Sequence, residues 1–338
     1  MKKYSFKNDY SEGAHPAILQ RLIDTNLEQT IGYGEDEFCN EARELIKKYL
    51  KKDTAIHFVS GGTQANLIVI SSILKPHESV IAAESGHIAV HETGAIEATG
   101  HKVNTIATDN GKITPEQISV VLATHTDEHM VKPKLVYISN STEVGSVYSK
   151  KELQELYHFC QKNNLYLFVD GARLASALTY SKCDLTLEDM ANFTDIFYIG
   201  GTKNGALLGE AIVINNLKLD EDFRYHIKQK GGMLAKGRLI GIQFSEMFRD
   251  DLFFEMGKHA NQMAEKLANA ISAKGHNFLT EPSSNQIFPI LPNSIIEKLQ
   301  QDFEFYIWQK IDDQNSAIRL VTSWITPEEQ VESFIKSI

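Results

Sequence analysis

The chain has 338 residues, 42% hydrophobic and 23% charged, enough to bury a sizeable core in one large domain plus a smaller one. Its formal net charge of −10, with no lysine- or arginine-dense block, argues against a nucleic-acid partner and says little about substrate. Three cysteines, Cys39, Cys160 and Cys183, lie far apart without CxxC spacing, which argues against a disulfide framework or a structural zinc site and fits a reducing cytoplasm.

Met1-Lys2-Lys3-Tyr4-Ser5 has two lysines but no apolar stretch behind them, and no run elsewhere reaches membrane-spanning length. No membrane partner is expected. The first dozen residues read as an arm. Helices are predicted over residues 14–30 and 35–51, divided by the flexible Ile31-Gly32-Tyr33-Gly34. A strand at Thr54–Val59 leads through Ser60-Gly61-Gly62 into a helical run, Thr63–Leu74, and a short strand follows at Ser79–Ala83. Strand and helix patterns alternate onward to Val213, the signature of a βαβ-rich, mostly parallel sheet.

Strand Leu135–Ser139 opens into the polar loop Asn140-Ser141-Thr142-Glu143-Val144-Gly145, and residues 150–163 pattern as an amphipathic helix. Leu165–Val169 runs into Asp170-Gly171-Ala172-Arg173, and Asp195–Ile199 into Gly200-Gly201-Thr202-Lys203-Asn204-Gly205. A long amphipathic helix over Asp250–Ser272 is followed by segments punctuated by Gly275, Pro282, Pro289 and Pro292. A boundary near residue 250 therefore separates an expected large domain, 1–250, from a small C-terminal domain, 251–338.

Ligands of open α/β sheets gather at the carboxyl ends of strands. Lys203 sits at such an end, and a lysine drawn out of water becomes a nucleophilic amine. Alone, it also reads as a strand-end lysine reaching solvent. Asp170 ends an apolar run where a charge needs a partner; its plainer alternative is an N-cap for the helical stretch that follows. Gly61-Gly62-Thr63-Gln64, between strand and helix, offers backbone N–H groups to a phosphate, although it matches neither the P-loop nor a dinucleotide fingerprint. His87 follows a strand and can stack on an aromatic ring. His87 and His91, four residues apart with Glu92 following, invite a metal reading, but one pair with no third ligand in place does not support it, and His91 reads as an ordinary polar helix start. Arg319 interrupts the apolar strand Ile318-Arg319-Leu320-Val321-Thr322; its fork of donors suits a carboxylate, and the alternative is an edge-strand arginine facing water. An amine, a carboxylate and a guanidinium at neighbouring strand ends are what pyridoxal phosphate needs.

In chain order, Lys7-Asn8-Asp9-Tyr10, Gly32-Tyr33-Gly34-Glu35-Asp36, Gly62-Thr63-Gln64-Ala65-Asn66-Leu67, His87, Val169-Asp170-Gly171-Ala172-Arg173, Lys203 and Ile318-Arg319-Leu320-Val321-Thr322 resemble the low-specificity L-threonine aldolase family. That family lies in the β-eliminating lyase branch of the fold-type I pyridoxal-phosphate enzymes. The resemblance implies an aspartate aminotransferase-like α/β large domain with a mostly parallel sheet and a small α+β C-terminal domain. It makes Lys203 the Schiff-base lysine, Asp170 the partner of the ring nitrogen, Arg173 the contact to the ring oxygen and His87 the stacking group. Gly61, Gly62 and Thr63 would hold the phosphate, and Arg319 with Asn8 the substrate carboxylate. The family builds its site between subunits, which implies a homodimer or homotetramer with Tyr33 visiting the neighbour's pocket.

Two departures stand out. Where the family often reads Glu-Asn-Thr-His-Asn-Gly, Glu143 occupies the place of the histidine that handles the substrate hydroxyl. The family's Gly-Met-Arg-Gln loop reads Gly232-Met233-Leu234-Ala235-Lys236-Gly237-Arg238, so Lys236 or Arg238 is expected to replace an arginine that reaches phosphate. The implied activity is retro-aldol cleavage of L-threonine-like β-hydroxy amino acids to glycine and an aldehyde, with Glu143, His87, His91 or a water as the base. The alternatives are a β-eliminating lyase, racemase or aminotransferase on the same scaffold and, in a different class, a catalytically idle pyridoxal-phosphate-binding protein.

Overall fold

The computed structural model describes residues 3–338; Met1 and Lys2, at the start of the arm, lie outside the described residues. The arm carries β1 (Tyr4–Ser5) and leads to α1 (Pro16–Asp24) and α2 (Glu37–Leu50). Strands and helices then alternate: β2 (Ala55–Val59), α3 (Gly62–Ile73), β3 (Glu78–Ala83), α4 (His87–Val90), β4 (Val103–Ile106), α5 (Pro115–Thr124), β5 (Lys132–Ser139) and α6 (Lys150–Lys162). They continue through β6 (Tyr166–Asp170), α7 (Leu174–Thr179), α8 (Leu187–Asn192), β7 (Ile196–Gly200), β8 (Glu210–Ile214), α9 (Phe223–Gln229) and α10 (Arg238–Met247). The remainder is α11 (Leu252–Ala273), β9 (Gln286–Ile287), β10 (Ile290–Pro292), α12 (Asn293–Leu299), β11 (Phe303–Glu304), β12 (Tyr306–Lys310), β13 (Asn315–Val321) and α13 (Glu328–Ser337).

A seven-stranded sheet of order β2-β8-β7-β6-β5-β3-β4 forms the centre. Strands β3 to β7 run parallel, and β8 runs opposite to both β7 and β2. Helices cover both faces, so β7 and β8 are buried along their whole length and read as continuous apolar runs rather than alternating ones. The pleat divides their side chains between two cores. Val136, Ile138, Leu167, Val169, Phe197 and Ile199 join one cluster; Leu135, Tyr137, Phe168, Ile196 and Tyr198 join the other, under α3 and α9.

Helix starts follow from local chemistry. α5, α6 and α8 begin at capping boxes, Thr114/Gln117, Ser149/Glu152 and Thr186/Asp189. α3 has Gly61 at its N-cap and no side-chain cap, so its first N–H groups face outward unclaimed by a cap. The helix expected over 14–30 stops at Asp24 instead. There, Arg238 donates to the carbonyls of Thr25 (2.7 Å) and Glu28 (2.6 Å), so a tertiary contact claims backbone that the local pattern assigned to helix.

A second, antiparallel sheet places β13 between β10 and β12, with β9 also paired to it, so β13 is central and Arg319 is no edge residue. The arm is fastened to this unit. Strand β1 pairs with β11, and Phe6 packs edge-on against Phe334 at 5.4 Å between ring centroids. Residues 7–10 therefore pass beside the small sheet toward the large one.

The ends of β6 and β7 meet unusually closely. Gly200 N–H donates to the Gly171 carbonyl at 3.0 Å. A Cβ on Gly171 would stand 1.9 Å from the Tyr198 carbonyl oxygen, and one on Gly200 would stand 2.4 Å from that of Ala172. Both contacts are with backbone, which cannot swing aside. Gly171→Ala is expected to cost about 3 kcal/mol or more in urea unfolding, or to prevent folding. Gly13→Ala, with nothing within 4 Å of the added methyl, should change stability by less than about 0.5 kcal/mol.

Candidate active site

Gly61, Gly62, Thr63, His87, Asp170 and Lys203 line a single cavity of about 320 Å³ at the carboxyl ends of the parallel strands. Tyr10, Tyr198 and Glu210 also line it, and none of the three was singled out from sequence. At Gly62 a Cβ would come within 2.9 Å of the Tyr198 hydroxyl, whereas one on Gly61 would meet nothing within 4 Å.

Asp170 ends β6, buried. Its Oδ2 accepts from Tyr137 Oη (2.6 Å) and Asn66 Nδ2 (3.1 Å), and its Oδ1 from Ala172 N (3.0 Å). Burial alone would raise this carboxyl, but the facing His87, the hydroxyls of Tyr137 and Tyr198 and the Ala172 N–H outweigh it and hold Asp170 below the usual carboxylate range. Burial, then the Asp170 charge, pushes both tyrosines well up, so they remain neutral donors. The N-cap alternative does not hold, since α7 starts at Leu174 with no side-chain cap.

Lys203 lies in the turn after β7 and makes no hydrogen bond or ion pair among the described residues. Burial and then the Arg173 charge lower its pKa, against the opposing pull of Asp9, Asp170 and Glu210. Glu210, at the start of β8, accepts from Thr202 Oγ1 (3.0 Å) and Gly201 N (3.3 Å); burial pushes it up to about 8, with Lys203 opposing.

Arg173 is committed to Asp9. Its Nε and Nη2 donate to the two Asp9 oxygens at 2.7 and 3.0 Å, and Asn285 Nδ2 adds a bond at 2.9 Å. Burial would raise Asp9, but Arg173, Lys203 and these hydrogen bonds hold it below its ordinary value. Asn8, the residue selected from that motif, instead closes its own turn, accepting from Tyr10 N and Ser11 Oγ. Arg319 donates through Nε and Nη2 to Gln286 Oε1, lies over the Trp308 ring at 5.8 Å, and is pushed down to about 10 by burial and then the Arg173 charge. It has no carboxylate partner among the described residues.

Glu143 takes two donors on Oε1, Ser139 Oγ at 2.6 Å and the His87 backbone N–H at 2.9 Å. Burial raises its pKa, Ser139 opposes this, and the Asp170 charge adds to it. His91 lies 5.6 Å from His87 between ring centroids; burial lowers its pKa, and the neighbouring His87, Arg319 and Lys203 lower it further. Tyr33 is half-exposed on its loop, with φ of 62°, and does not line this chain's cavity. Arg238 is tied to the Thr25 and Glu28 carbonyls, which leaves Lys236 as the freer of the two loop cations.

Two missed residues differ in how visible they were. Glu210 opens an otherwise apolar strand, a placement that flags a buried charge. Glu92, which faces His87 across 2.8 Å, stands five positions after it, a spacing that no helical face singles out.

The residues present fit pyridoxal phosphate. An uncapped helix start with two glycines suits its phosphate, a buried low-pKa carboxylate its ring nitrogen, and an amine without an ion pair its aldehyde; all three share one cavity.

A family model described as "Beta-eliminating lyase" matches residues 8–293. The chain is 30% identical to the low specificity L-threonine aldolase of Pseudomonas aeruginosa, covering 98% of this chain and 96% of that one. It is similar to the solved Leishmania major threonine aldolase at 49% identity and a TM-score of 0.97, over 98% of both chains. The fold is shared with Thermus thermophilus aspartate aminotransferase, with a TM-score of 0.75 at 13% identity over 99% of this chain and 90% of that one.

Because Asp9 is held below its unfolded value, its pairing contributes stability above about pH 4 and loses it as pH falls through the depressed native value. Asp9→Asn leaves Arg173 buried without a counter-charge. Urea unfolding at pH 7 should show a loss of about 3 kcal/mol or more, and the decline below pH 4 should become shallower than in wild type.

Proposed function

The chain belongs to the beta-eliminating lyase family, and we propose from that premise that it cleaves L-threonine- and allo-threonine-like β-hydroxy amino acids to glycine and an aldehyde, using pyridoxal phosphate. The observation that carries this reading is the one cavity in which Lys203, Asp170, His87 and the Gly61-Gly62-Thr63 helix start converge.

Pyridoxal phosphate, when bound, supplies a carbonyl that takes amines covalently and a ring that accepts the electron pair of a breaking bond. Gly61, Gly62 and Thr63 would hold its phosphate, Asp170 its ring nitrogen, Arg173 its ring oxygen, His87 its ring face and Lys203 its aldehyde. Asp170 stays ionised through its ring of donors and so would keep a ring nitrogen beside it protonated. Lys203, desolvated and unpaired, serves as an amine and carries protons at the substrate's Cα. Arg319, which has no acidic partner among the described residues, exchanges Gln286 for the substrate carboxylate and so fixes how the Cα–Cβ bond lies. Asn8 adds its free amide to that carboxylate site. The β-hydroxyl proton leaves toward the adjoining His87 and Glu143.

The reading takes 1–250 as the cofactor domain and 251–338 as the small domain, supported by the separate apolar cluster of α11 from Met263 on, β13 and α13, which Phe6 of the arm joins, while Phe253 and Met256 pack in the large core. It places the protein in the cytoplasm, in keeping with three free cysteines. It also takes two copies or a pair of dimers as the working unit. Leu27, Ile31 and Tyr225 are 93%, 70% and 76% exposed around the Tyr33 loop, an apolar surface that a second copy would cover while receiving Tyr33. Light scattering should give twice or four times the chain mass.

Incubated with L-threonine, allo-threonine and phenylserine, the loaded protein should release glycine and the matching aldehyde. Lys203→Ala should abolish that release together with the visible absorption of the attached cofactor. A loaded wild type that forms no glycine from any of the three would end this reading.

A further inference from the structure

Glu92 has no part in the reading above, yet its side chain is fully enclosed directly behind His87. Its Oε1 faces His87 Nδ1 at 2.8 Å and accepts from Asn66 Nδ2 at 2.7 Å. A carboxylate oxygen has no proton to give, so a ring nitrogen facing it at this distance is the donor. Nδ1 of His87 therefore carries its proton, and in the neutral ring the lone pair is on Nε2. Asn66 Nδ2 also reaches Asp170 Oδ2 at 3.1 Å, so one amide braces the carboxylate behind the imidazole and the carboxylate at the ring-nitrogen site. Two atoms of this group, Glu92 Oε2 and Asn66 Oδ1, are buried without a partner. Such an arrangement is costly, and a purely packing role would not call for it.

His87 itself lines the cavity with Asp170 and Lys203. A base that is hydrogen-bonded on its far side to a buried carboxylate is the arrangement that fixes a tautomer and stabilises the imidazolium once a proton arrives. Glu143 is less suited to the task, since its Oε1 is already engaged by Ser139 and by the His87 main chain.

We infer that Glu92 is a positioning residue that makes His87 Nε2 the acceptor of the substrate's β-hydroxyl proton. This rests on the aldolase reading and deepens it. As the O–H proton passes to Nε2, its electron pair becomes the second bond of the aldehyde C=O. The Cα–Cβ pair stays with the glycine fragment, which takes up one proton in return. The charged groups that face His87 are Glu92 behind it, His91 at the end of α4, Asp170 from β6 and Glu143 from the loop after β5. Lys203 and Arg319 act on the same corner through His91.

The test measures kcat and KM for L-threonine against pH in loaded wild type, E92Q, E92D, E143Q, H87F and H87F/E92Q, with cofactor absorption as the check on loading. E92Q should lose about tenfold or more in kcat with little change in KM. Its acidic limb in kcat/KM should move down by about one pH unit, because the imidazolium has lost its counter-charge. E92D should recover part of both. In the H87F background, E92Q should add less than about a twofold loss. An unmoved limb in loaded E92Q, an undiminished loss in the H87F background, or a limb that shifts in E143Q instead would each overturn the proposal. A second readout needs no variant to fold: nitrogen-15 spectra of histidine in wild-type holoenzyme should show His87 protonated at Nδ1. Glycine formation with His87 protonated at Nε2 overturns the role of Glu92 alone. No glycine with His87 protonated at Nδ1 overturns the aldolase reading, and the proposal falls with it.

Discussion

A carboxylate kept ionised away from water needs donors on every side, and the site is organised around satisfying Asp170. The sheet supplies them by parity. Phe168 pairs with Tyr137 on one side and Ile196 on the other, so Asp170, two residues on, projects to the same face as Tyr137 and Tyr198. That face is the one α3 covers, and α3 adds Asn66 one turn after its glycine start. The same face therefore carries the carboxylate, its hydroxyl donors and the uncapped helix start. Register and pleat, more than any one side chain, place Asp170 and the Gly61-Gly62 turn in one cavity.

Around that carboxylate the other charges are arranged unevenly. Asp9 and Arg173 neutralise each other through two hydrogen bonds, while Lys203 and Arg319 have no acidic partner at ion-pair distance among the described residues. Burying a matched pair contributes little net stability on its own. What the pair accomplishes is mechanical: Asp9 comes from the arm, Arg173 from the end of β6 and Asn285, which also binds Asp9, from the segment beside the small sheet. Three parts of the chain are fixed at one point, and the two remaining cations are left to attract an anionic cofactor and an anionic substrate.

Much of this was legible because buried parallel strands are continuous apolar runs, and a polar residue that ends such a run is conspicuous. Asp170, Lys203 and the Gly61-Gly62 turn all announce themselves in that way. The same patterns placed β2, β3, β6 and β7 within a residue of their observed bounds and β5 to its end, while β4 and β8 had no bounds read for them. What stayed hidden depended on pairing that local pattern does not encode. That Asp9, next to the selected Asn8, turns inward to Arg173 depends on a tertiary pairing that the motif does not encode. Arg319 was open to reading as an edge residue until β9, β10 and β12 were seen to pair with its strand. The helix expected to reach residue 30 was cut short by Arg238, more than two hundred residues away. Glu92 follows a four-residue helix, where no periodicity survives to mark it.

The departure at residue 143 has a physical consequence that connects it to Glu92. In the family that the sequence resembles, a histidine at this place is implied to handle the substrate's hydroxyl. Glu143 instead turns one oxygen toward the His87 main-chain N–H and Ser139, so it fixes the start of α4. Burial, together with the nearby Asp170 charge, makes it a reluctant anion. One carboxylate thus holds the His87 backbone while another, Glu92, holds its ring, and between them the imidazole has little freedom to turn. With the second histidine replaced by an anchor, proton handling at the β-carbon concentrates on one ring nitrogen. The substitution and the buried carboxylate behind the ring are two parts of the same arrangement.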